Sequence, residues 1–351
     1  MMRCFKIIVI VILCFCEGII AQDEYFSQFY AIPVQMNPAL AGASNGTYRI
    51  SAINRDQWNN NLESPYKTFA AGGDVRFKMK FGKKRTKDYF GMGLFFISDR
   101  VALFQANTNQ VSTYFAYHKR IGDKTPSFLG LGVRFAVLQK NINYDNLTFQ
   151  DQFNQINGYT LGTNETLPPN NFGFFDMSIG LNYHVQMKKS NFYIGAAAHH
   201  ITNPSSSFYF RLRNPNPSID LSQKLATRIV AHVSLDKQLS YKWAVQPRLV
   251  YQRQAQDNQI NLGTNLEYTF RSQKTGLILG LWVTTINDLD SFHAENLTPL
   301  LGIRQGQLIL GFSYDVHLRD TFNSPFGFNT FEFSIRFTGE HSNDQGFCPT
   351  F

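Results

Sequence analysis

The chain has 351 residues and a formal net charge of +8, and aromatic residues make up 15% of it, including 33 Phe and 16 Tyr. A mean hydropathy of −0.23 excludes a protein built from membrane-spanning helices. The basic charge suits an envelope with anionic lipid and does not require a nucleic-acid partner. Many aromatics at moderate hydropathy favour strands that expose one face to lipid.

The first 21 residues have the pattern of a secretory signal peptide. Arg3 and Lys6 form a basic region at the start, and an apolar run follows from Ile7 to Cys16. Ala21 precedes the predicted cleavage site. The run is too short to cross a bilayer comfortably, and an uncleaved anchor is the alternative. Cleavage leaves Cys348 as the single cysteine, which excludes an intrachain disulfide and a cysteine-based metal site.

The segment Gln22–Thr47 precedes the first predicted strand. Its prolines oppose strand pairing and long helices, and each of its adjacent aromatic side chains gains about 1.5–3 kcal/mol on burial. We therefore expect this segment to pack into the lumen of a barrel or to cap its periplasmic mouth, with a flexible leader as the alternative. The residues expected to plug the lumen are Tyr25, Phe26, Phe29, Tyr30, Asn37 and Pro38.

From residue 48 onward, segments of about 9–13 residues alternate apolar and polar side chains, as membrane strands do. In Thr330–Phe337, for example, four apolar residues share a face opposite Glu332, Ser334 and Arg336. The pattern predicts an all-β fold, a transmembrane antiparallel barrel over residues 48–337, followed by a periplasmic tail over 338–351. A soluble β-sandwich is the competing fold. The predicted strands are Tyr48–Arg55, Tyr66–Phe77, Tyr89–Asp99, Asn109–Arg120, Ser127–Lys140, Asn171–Val185, Phe192–His200, Leu225–Leu235, Trp243–Gln254, Gln259–Phe270, Thr275–Thr284, Leu297–Arg304, Gln307–Leu318 and Thr330–Phe337.

The connections are expected to alternate between short periplasmic turns and longer outer loops. The long outer loops are predicted after Lys140, His200, Thr285 and Arg319. Lys78–Asp88 is a longer periplasmic connection and strongly basic. It is either a solvated turn or a docking patch that includes Lys83, Lys84 and Arg85.

Two outer loops are too rich in aromatic residues to be purely solvated. Clusters of exposed aromatic and arginine side chains are typical of binding hot spots, so we expect these loops to form an extracellular docking surface. The first loop is Asn141–Asn170 and the second is Ile201–Lys224. Their candidate partner-binding residues are Tyr144, Phe149, Phe153, Phe208, Tyr209, Arg211 and Arg213.

Enzymatic interpretations have little support. His199 and His200 are neighbours on a predicted strand, which would direct them to opposite faces and prevent them from sharing a metal ion. Ser313, Asp315 and His317 share a face, but that is also ordinary for a polar lumen. Neither a GxGxxG motif nor a P-loop occurs in the chain. We predict that the protein is not an enzyme and takes no cofactor or metal.

Three motifs after the cleavage site carry a family resemblance. They are Phe26-Ser27-Gln28-Phe29-Tyr30, Asn37-Pro38-Ala39-Leu40-Ala41-Gly42 and Asn54-Arg55-Asp56-Gln57-Trp58, and Tyr144–Gln152 adds a fourth. In these motifs, and over essentially its whole length, the chain resembles the PorP/SprF family of the type IX secretion and gliding-motility system of Bacteroidota. The terminal Cys348-Pro349-Thr350-Phe351 favours the gliding-associated SprF-like branch over the PorP-like branch.

The resemblance implies a non-enzymatic outer-membrane component of the secretion and gliding machinery. Its implied partners are the C-terminal sorting domain of a secreted cargo protein or cell-surface adhesin, periplasmic lipoproteins or peptidoglycan-linked proteins, and outer-membrane lipid. A passive outer-membrane pore for small solutes is the alternative function, and whether the lumen is plugged decides between the two.

Overall fold

The computed structural model describes residues 25–44, 46–58, 65–81, 84–101, 105–122, 124–145, 147–211, 224–270, 274–287, 291–318 and 330–340. Within these ranges the chain forms fourteen antiparallel strands, as the alternation predicted. They are β1 Tyr48–Gln57, β2 Tyr66–Phe81, β3 Lys84–Val101, β4 Ala106–Gly122, β5 Ser127–Ile142, β6 Asn171–Met187, β7 Ser190–His199, β8 Arg228–Gln238, β9 Trp243–Gln254, β10 Asp257–Thr269, β11 Thr275–Asn287, β12 Phe292–Gln305, β13 Leu308–His317 and β14 Thr330–Gly339.

The strands form a closed barrel in which each one pairs with its neighbours in the chain. The ring closes between β1 and β14, with Tyr48 opposite Gly339 and Gln57 opposite Thr330. Closure gives every strand two partners, so the paired stretches of the wall are hydrogen bonded within the protein, as a lipid environment demands. The predicted fold class, a transmembrane barrel of about fourteen strands, is confirmed.

Side chains alternate between the lipid-facing and lumen-facing sides of the wall. On β5, Leu131 and Val137 point outward and are 48% and 61% exposed, whereas Arg134 and Ala136 point into the lumen and are buried. The same alternation on β14 exposes Phe333 and buries Glu332.

Four outward phenylalanines form a band across β3 to β6, which we call the outer aromatic row. Phe90 and Phe115 have ring centroids 6.2 Å apart, Phe115 and Phe135 are 6.3 Å apart, and Phe135 and Phe175 are 6.2 Å apart. Cross-strand aromatic neighbours of this kind stabilise adjacent strands. The row ends at Phe175 on β6.

The turns that follow even-numbered strands are short, as predicted, and two predicted loops are wrong. Lys78–Asp88 is not a loop, because β2 and β3 continue through it and pair to Phe81 opposite Lys84. The long loop expected after Thr285 is mostly strand, with β11 ending at Asn287 and β12 beginning at Phe292. In both places the hydrogen-bonded wall continues through residues whose charge and polarity favoured a solvated connection.

The segment before β1 lies inside the ring as three short helical turns, Phe29–Ala31, Pro33–Met36 and Pro38–Leu40. Two of the turns begin with proline, whose fixed φ angle and missing N–H suit the first position of a helix. Most of its side chains are buried, and they form two hydrophobic clusters with inward residues of the strands. Among the described residues, no helix combines the length and apolar character that a membrane crossing requires.

Candidate functional site in the barrel lumen

The first contact between the N-terminal segment and the wall is a buried cluster of charges, which we call the Glu332 cluster. The Glu332 carboxylate accepts hydrogen bonds from the backbone N–H groups of Ser27 and Gln28, at 2.7 and 2.8 Å. Arg55 donates to Glu332 and, at 3.2 Å, to the carboxylate of Asp315. The hydroxyl of Ser27 donates to Asp315 over 2.7 Å. The cluster therefore fixes the beginning of the segment to β1, β13 and β14 together.

The second contact is the side chain of Asn37, which is fully buried. Its Oδ1 accepts from the N–H of Ala39 at 2.9 Å, which closes the local turn. Its Nδ2 donates to the carbonyl of Leu181 on β6 at 2.9 Å and lies 3.1 Å from Nε2 of His232 on β8. One amide thus orders the turn and joins it to the wall.

Two lumen-facing glycines make room for this turn. A Cβ atom at Gly132 would lie 2.5 Å from the Cα of Ala39, and one at Gly180 would overlap the Oδ1 of Asn37. Such distances are impossible without displacing backbone or a fully packed amide. The glycines of β5 and β6 therefore form a seat that fits the turn.

The third contact holds the end of the segment. Arg49 and Asp74 form a buried bidentate pair at 2.8 and 3.0 Å, and Asp74 also accepts from the N–H of Gly42 at 2.8 Å. Gly42 has φ of +73°, a value that favours glycine. Nε2 of His118 lies 2.9 Å from the carbonyl oxygen of Ala41.

Aromatic packing completes the contacts of the segment. Phe29, Tyr30 and Trp282 form a triad with ring centroids 5.2–5.6 Å apart. The guanidinium of Arg248 lies 4.9 Å from the centre of the Tyr30 ring. Burial raises the pKa of the Tyr30 phenol to about 12, because the charged phenolate would lose its solvation.

The six residues predicted as a plug lie among these contacts. Phe26, Phe29, Tyr30, Asn37 and Pro38 are buried and Tyr25 is half-buried. On the side of the segment that faces the outer loops lies a cavity of about 250 Å³. Phe26, Phe29, Ile32 and Met36 line it from the segment, and Arg134, Lys140 and Arg228 line it from the wall.

The predicted orientation of the two adjacent histidines is wrong. β7 ends at His199, and His200 adopts a positive φ of 57°, so both rings lie inside, 6.4 Å apart. They have separate partners: Nε2 of His199 is 3.1 Å from the Met36 carbonyl, and Nδ1 of His200 is 3.0 Å from Asp176. In the described part of the chain, no three histidine, cysteine or acidic side chains converge as metal ligands would.

The other candidate catalytic residues have structural partners. Ser313 accepts a hydrogen bond from Gln28 at 2.9 Å. Nδ1 of His317 lies 3.0 Å from Oδ1 of Asn296, and Asp315 belongs to the Glu332 cluster. The three side chains are thus occupied by the wall and by the N-terminal segment.

The loop between β5 and β6 is folded back on itself. Its Asp151 carboxylate accepts from the hydroxyl of Thr163 and from the N–H of Asn164, the latter at 2.6 Å. The rings of Phe153 and Tyr159 pack in a tilted arrangement with their centroids 5.3 Å apart. This frame exposes an apolar surface of Phe153, Ile156, Tyr159 and Leu161, in which Ile156 is 87% exposed.

The two outer loops approach each other. Burial first, and the nearby Tyr209 second, raise the pKa of the Tyr144 phenol. Phe208 packs on Phe172 at 5.0 Å, and Phe149 is half-buried. Of the other candidate residues in these loops, Arg213 lies outside the described residues, as does the side chain of Arg211.

The predicted basic patch is part of the β2–β3 hairpin. Lys84 and Arg85 belong to β3, and the description does not extend to their side chains or to Lys83. The tail from residue 341 onward, with Cys348, also lies outside it.

Sequence reasoning missed most of the wall residues that hold the segment, among them Arg49, Asp74, Gly132, Gly180 and Glu332. The sequence does place these charged residues and glycines at the alternate positions of predicted strands that face the lumen. The sequence does not show which of these residues contact the segment, because the partners are far apart in the chain. Ser27 and Glu332, for example, are 305 positions apart.

Comparisons with known proteins agree with this architecture. A family model for the type IX secretion system membrane protein PorP/SprF matches residues 19–337. A FadL homologue of Pseudomonas aeruginosa has a similar fold, with a TM-score of 0.53 and 10% identity over 86% of this chain and 91% of that one. The toluene transporter TbuX of Ralstonia pickettii has a TM-score of 0.46 and 12% identity over 89% and 94% of the two chains. At 10% identity, the likeness to the FadL homologue shows the fold alone. No curated protein matches the sequence.

Proposed function

The chain belongs to the PorP/SprF family of type IX secretion system membrane proteins, and on that premise we propose that it is a non-enzymatic outer-membrane component that binds protein partners on both sides of a closed barrel. The fold and the family together give it a secretion-machinery role in the outer membrane. Its partners are a secreted cargo protein or adhesin sorting domain outside, and lipoproteins or peptidoglycan-linked proteins in the periplasm.

The observation that carries this proposal is the occupied lumen. The N-terminal segment bonds to β1, β2, β4, β6, β13 and β14 and packs on Trp282 of β11. A segment held from so many directions closes the passage that a solute pore requires. The buried charges of the Glu332 cluster serve this attachment, which favours a positioning role for them over catalysis.

A conductance measurement separates this proposal from a passive pore. In planar lipid bilayers, the full chain after signal-peptide cleavage should give little steady current, and deletion of residues 25–44 should give a large one. Equal currents from both proteins, both large, would support the pore instead.

The outer loops are the proposed docking surface for cargo. The framed patch around Ile156 exposes aromatic and aliphatic side chains together, and Tyr144 and Tyr209 bring the two loops near each other. Exposed aromatic residues of this kind are typical of interface cores. The strongly basic β2–β3 hairpin at the opposite rim is the proposed periplasmic contact, and it suits an acidic surface on the partner.

Affinity purification of the native complex tests the docking surface. In one variant, residues 150–164 are replaced by an equal number of glycine and serine residues. The control keeps residues 150–164 and carries the same glycine and serine sequence as an insertion between Ala255 and Gln256, in the turn between β9 and β10 on the outer rim. The replacement should lose the co-purifying secreted proteins, while the insertion keeps them. Retention of cargo by both variants would refute the loop assignment.

A further inference from the structure

At the outer rim of the barrel, β6 extends farther than β7, and this difference in height forms a step between them. β6 pairs with β5 along nearly its whole length, up to Asn171 opposite Asn141. Its pairing with β7, however, begins only at Ile179 opposite Ala198. Residues 171–178 of β6 therefore have a neighbouring strand on one side and an edge on the other.

The backbone at this edge points into the step. The carbonyl of Met177 accepts a hydrogen bond from the N–H of Ile201, at 3.1 Å, on the β7 side. Because residues two apart in an antiparallel strand direct their backbone groups to the same neighbour, Gly173 and Phe175 present N–H and C=O in the same direction. In the described part of the chain, no backbone hydrogen bond reaches these two residues across the step.

The described residues of the loop after β7 contact the lower part of the edge, and none of them makes a backbone hydrogen bond to Gly173 or Phe175. The loop contacts Asp176 through His200 and Thr202, and Phe208 packs on the lumen side of the wall. Gly173 is exposed, and a Cβ atom built on it would meet only the carbonyl of Leu138, at 3.3 Å, on the β5 side. Since glycine has no side chain, this exposure is that of its backbone.

Phe175 gives this edge an apolar contact. Its ring is 48% exposed and terminates the outer aromatic row. Farther out along β6, the pair formed by Gln139 and Asn171 is polar. A strand placed at the edge would continue the row with an apolar side chain and would carry a polar one two positions farther out.

We infer that the edge of β6 around Gly173 and Phe175 is a docking site for an extended segment of a partner protein, which adds to the barrel wall as a further strand. The occupant is an extended chain because lipid tails cannot bond to N–H and C=O groups, and a helix has used its own. Strand addition to a free edge is a general mode of peptide recognition. The inference rests on the proposed partner-binding function and locates one contact of it outside the loops.

Hydrogen exchange of the backbone amides provides the test. In the purified full chain, the amides of Gly173 and Phe175 should exchange quickly, whereas those of Phe172 and Phe174, which face β5, should exchange slowly. A peptide with the sequence of residues 133–141, the stretch that already pairs with the other side of β6, is the probe. It should slow exchange at Phe175 roughly tenfold, as one or two added hydrogen bonds would. A peptide of the same composition in scrambled order should not.

Two variants make the test specific. Gly173→Pro removes the N–H donor at a position where an edge strand tolerates proline, and it should abolish the protection of Phe175 by the peptide. Gly173→Ala keeps the donor and should preserve the protection. Slow exchange at Phe175 in the free chain, equal protection in both variants, or protection that arises from pairing of two copies of the chain would each overturn the inference. These readouts involve no cargo, so they fail independently of the loop replacement described above.

Discussion

Replacement of Glu332 by Gln should release the beginning of the N-terminal segment while leaving the barrel intact. The carboxylate accepts two backbone N–H groups, from Ser27 and Gln28, and pairs with Arg55. Glutamine keeps the size but offers one oxygen, so at least one donor loses its acceptor and faces an NH₂ group instead.

The size of the effect follows from the bonds that are lost. A hydrogen bond to a charged group contributes about 1.5–3 kcal/mol, which corresponds to a factor of roughly 10 to 150 in the equilibrium between docked and released segment. Amide exchange of residues 26–31 should accelerate by that factor. Exchange in the central part of β5 should remain slow, because its hydrogen bonds belong to the wall.

Glu267→Gln is the matched control. Glu267 is also a lumen-facing carboxylate paired with an arginine, Arg304, and among the described residues it makes no hydrogen bond to the N-terminal segment. Equal acceleration of the exchange of residues 26–31 in both variants, or unchanged exchange in Glu332→Gln, would refute the role of Glu332 in holding the segment.

Three further predictions concern other contacts. Gly132→Val should push the adjoining turn off its seat, at a cost of about 1–3 kcal/mol for overpacking, and should raise the bilayer conductance; an unchanged current would contradict the fit. Ile156→Asp should weaken cargo co-purification several-fold without lowering Tm. The control Leu239→Asp, in a periplasmic turn, should change neither cargo co-purification nor Tm. Because the pKa of Tyr30 rises from 10.0 to about 12, the stabilisation from its burial is complete below pH 10 and is lost as pH rises through 12. The near-ultraviolet circular dichroism of Trp282 should follow that loss, and Tyr30→Phe should remove this pH dependence.

The wall of the barrel is predictable from the sequence because its signal is local. Alternation with period two is present within each strand, and β9 was predicted to the residue as Trp243–Gln254. The ends of β2 and β3 were not predictable in this way. The stretch between Lys78 and Lys87 is dense in lysine and arginine, and that charge favoured a solvated connection where the two strands in fact continue.

The interior was only partly predictable. The aromatic residues near Tyr25 indicated burial, and Asn37 indicated a turn. Their partners come from strands distributed over the whole chain, and no local pattern connects them. His200 shows a second limit, since a positive φ at the end of β7 turned a ring inward that strict alternation would have directed outward.

The position of Glu332 has a consequence for biogenesis. The residues that it holds, Ser27 and Gln28, precede the first strand, whereas Glu332 lies on β14, 305 positions after Ser27. Their acceptor therefore does not exist until the final strand has joined the first. Until then the aromatic side chains of the N-terminal segment stay exposed and need protection from aggregation, for example by a periplasmic chaperone. Docking of the segment follows closure of the barrel.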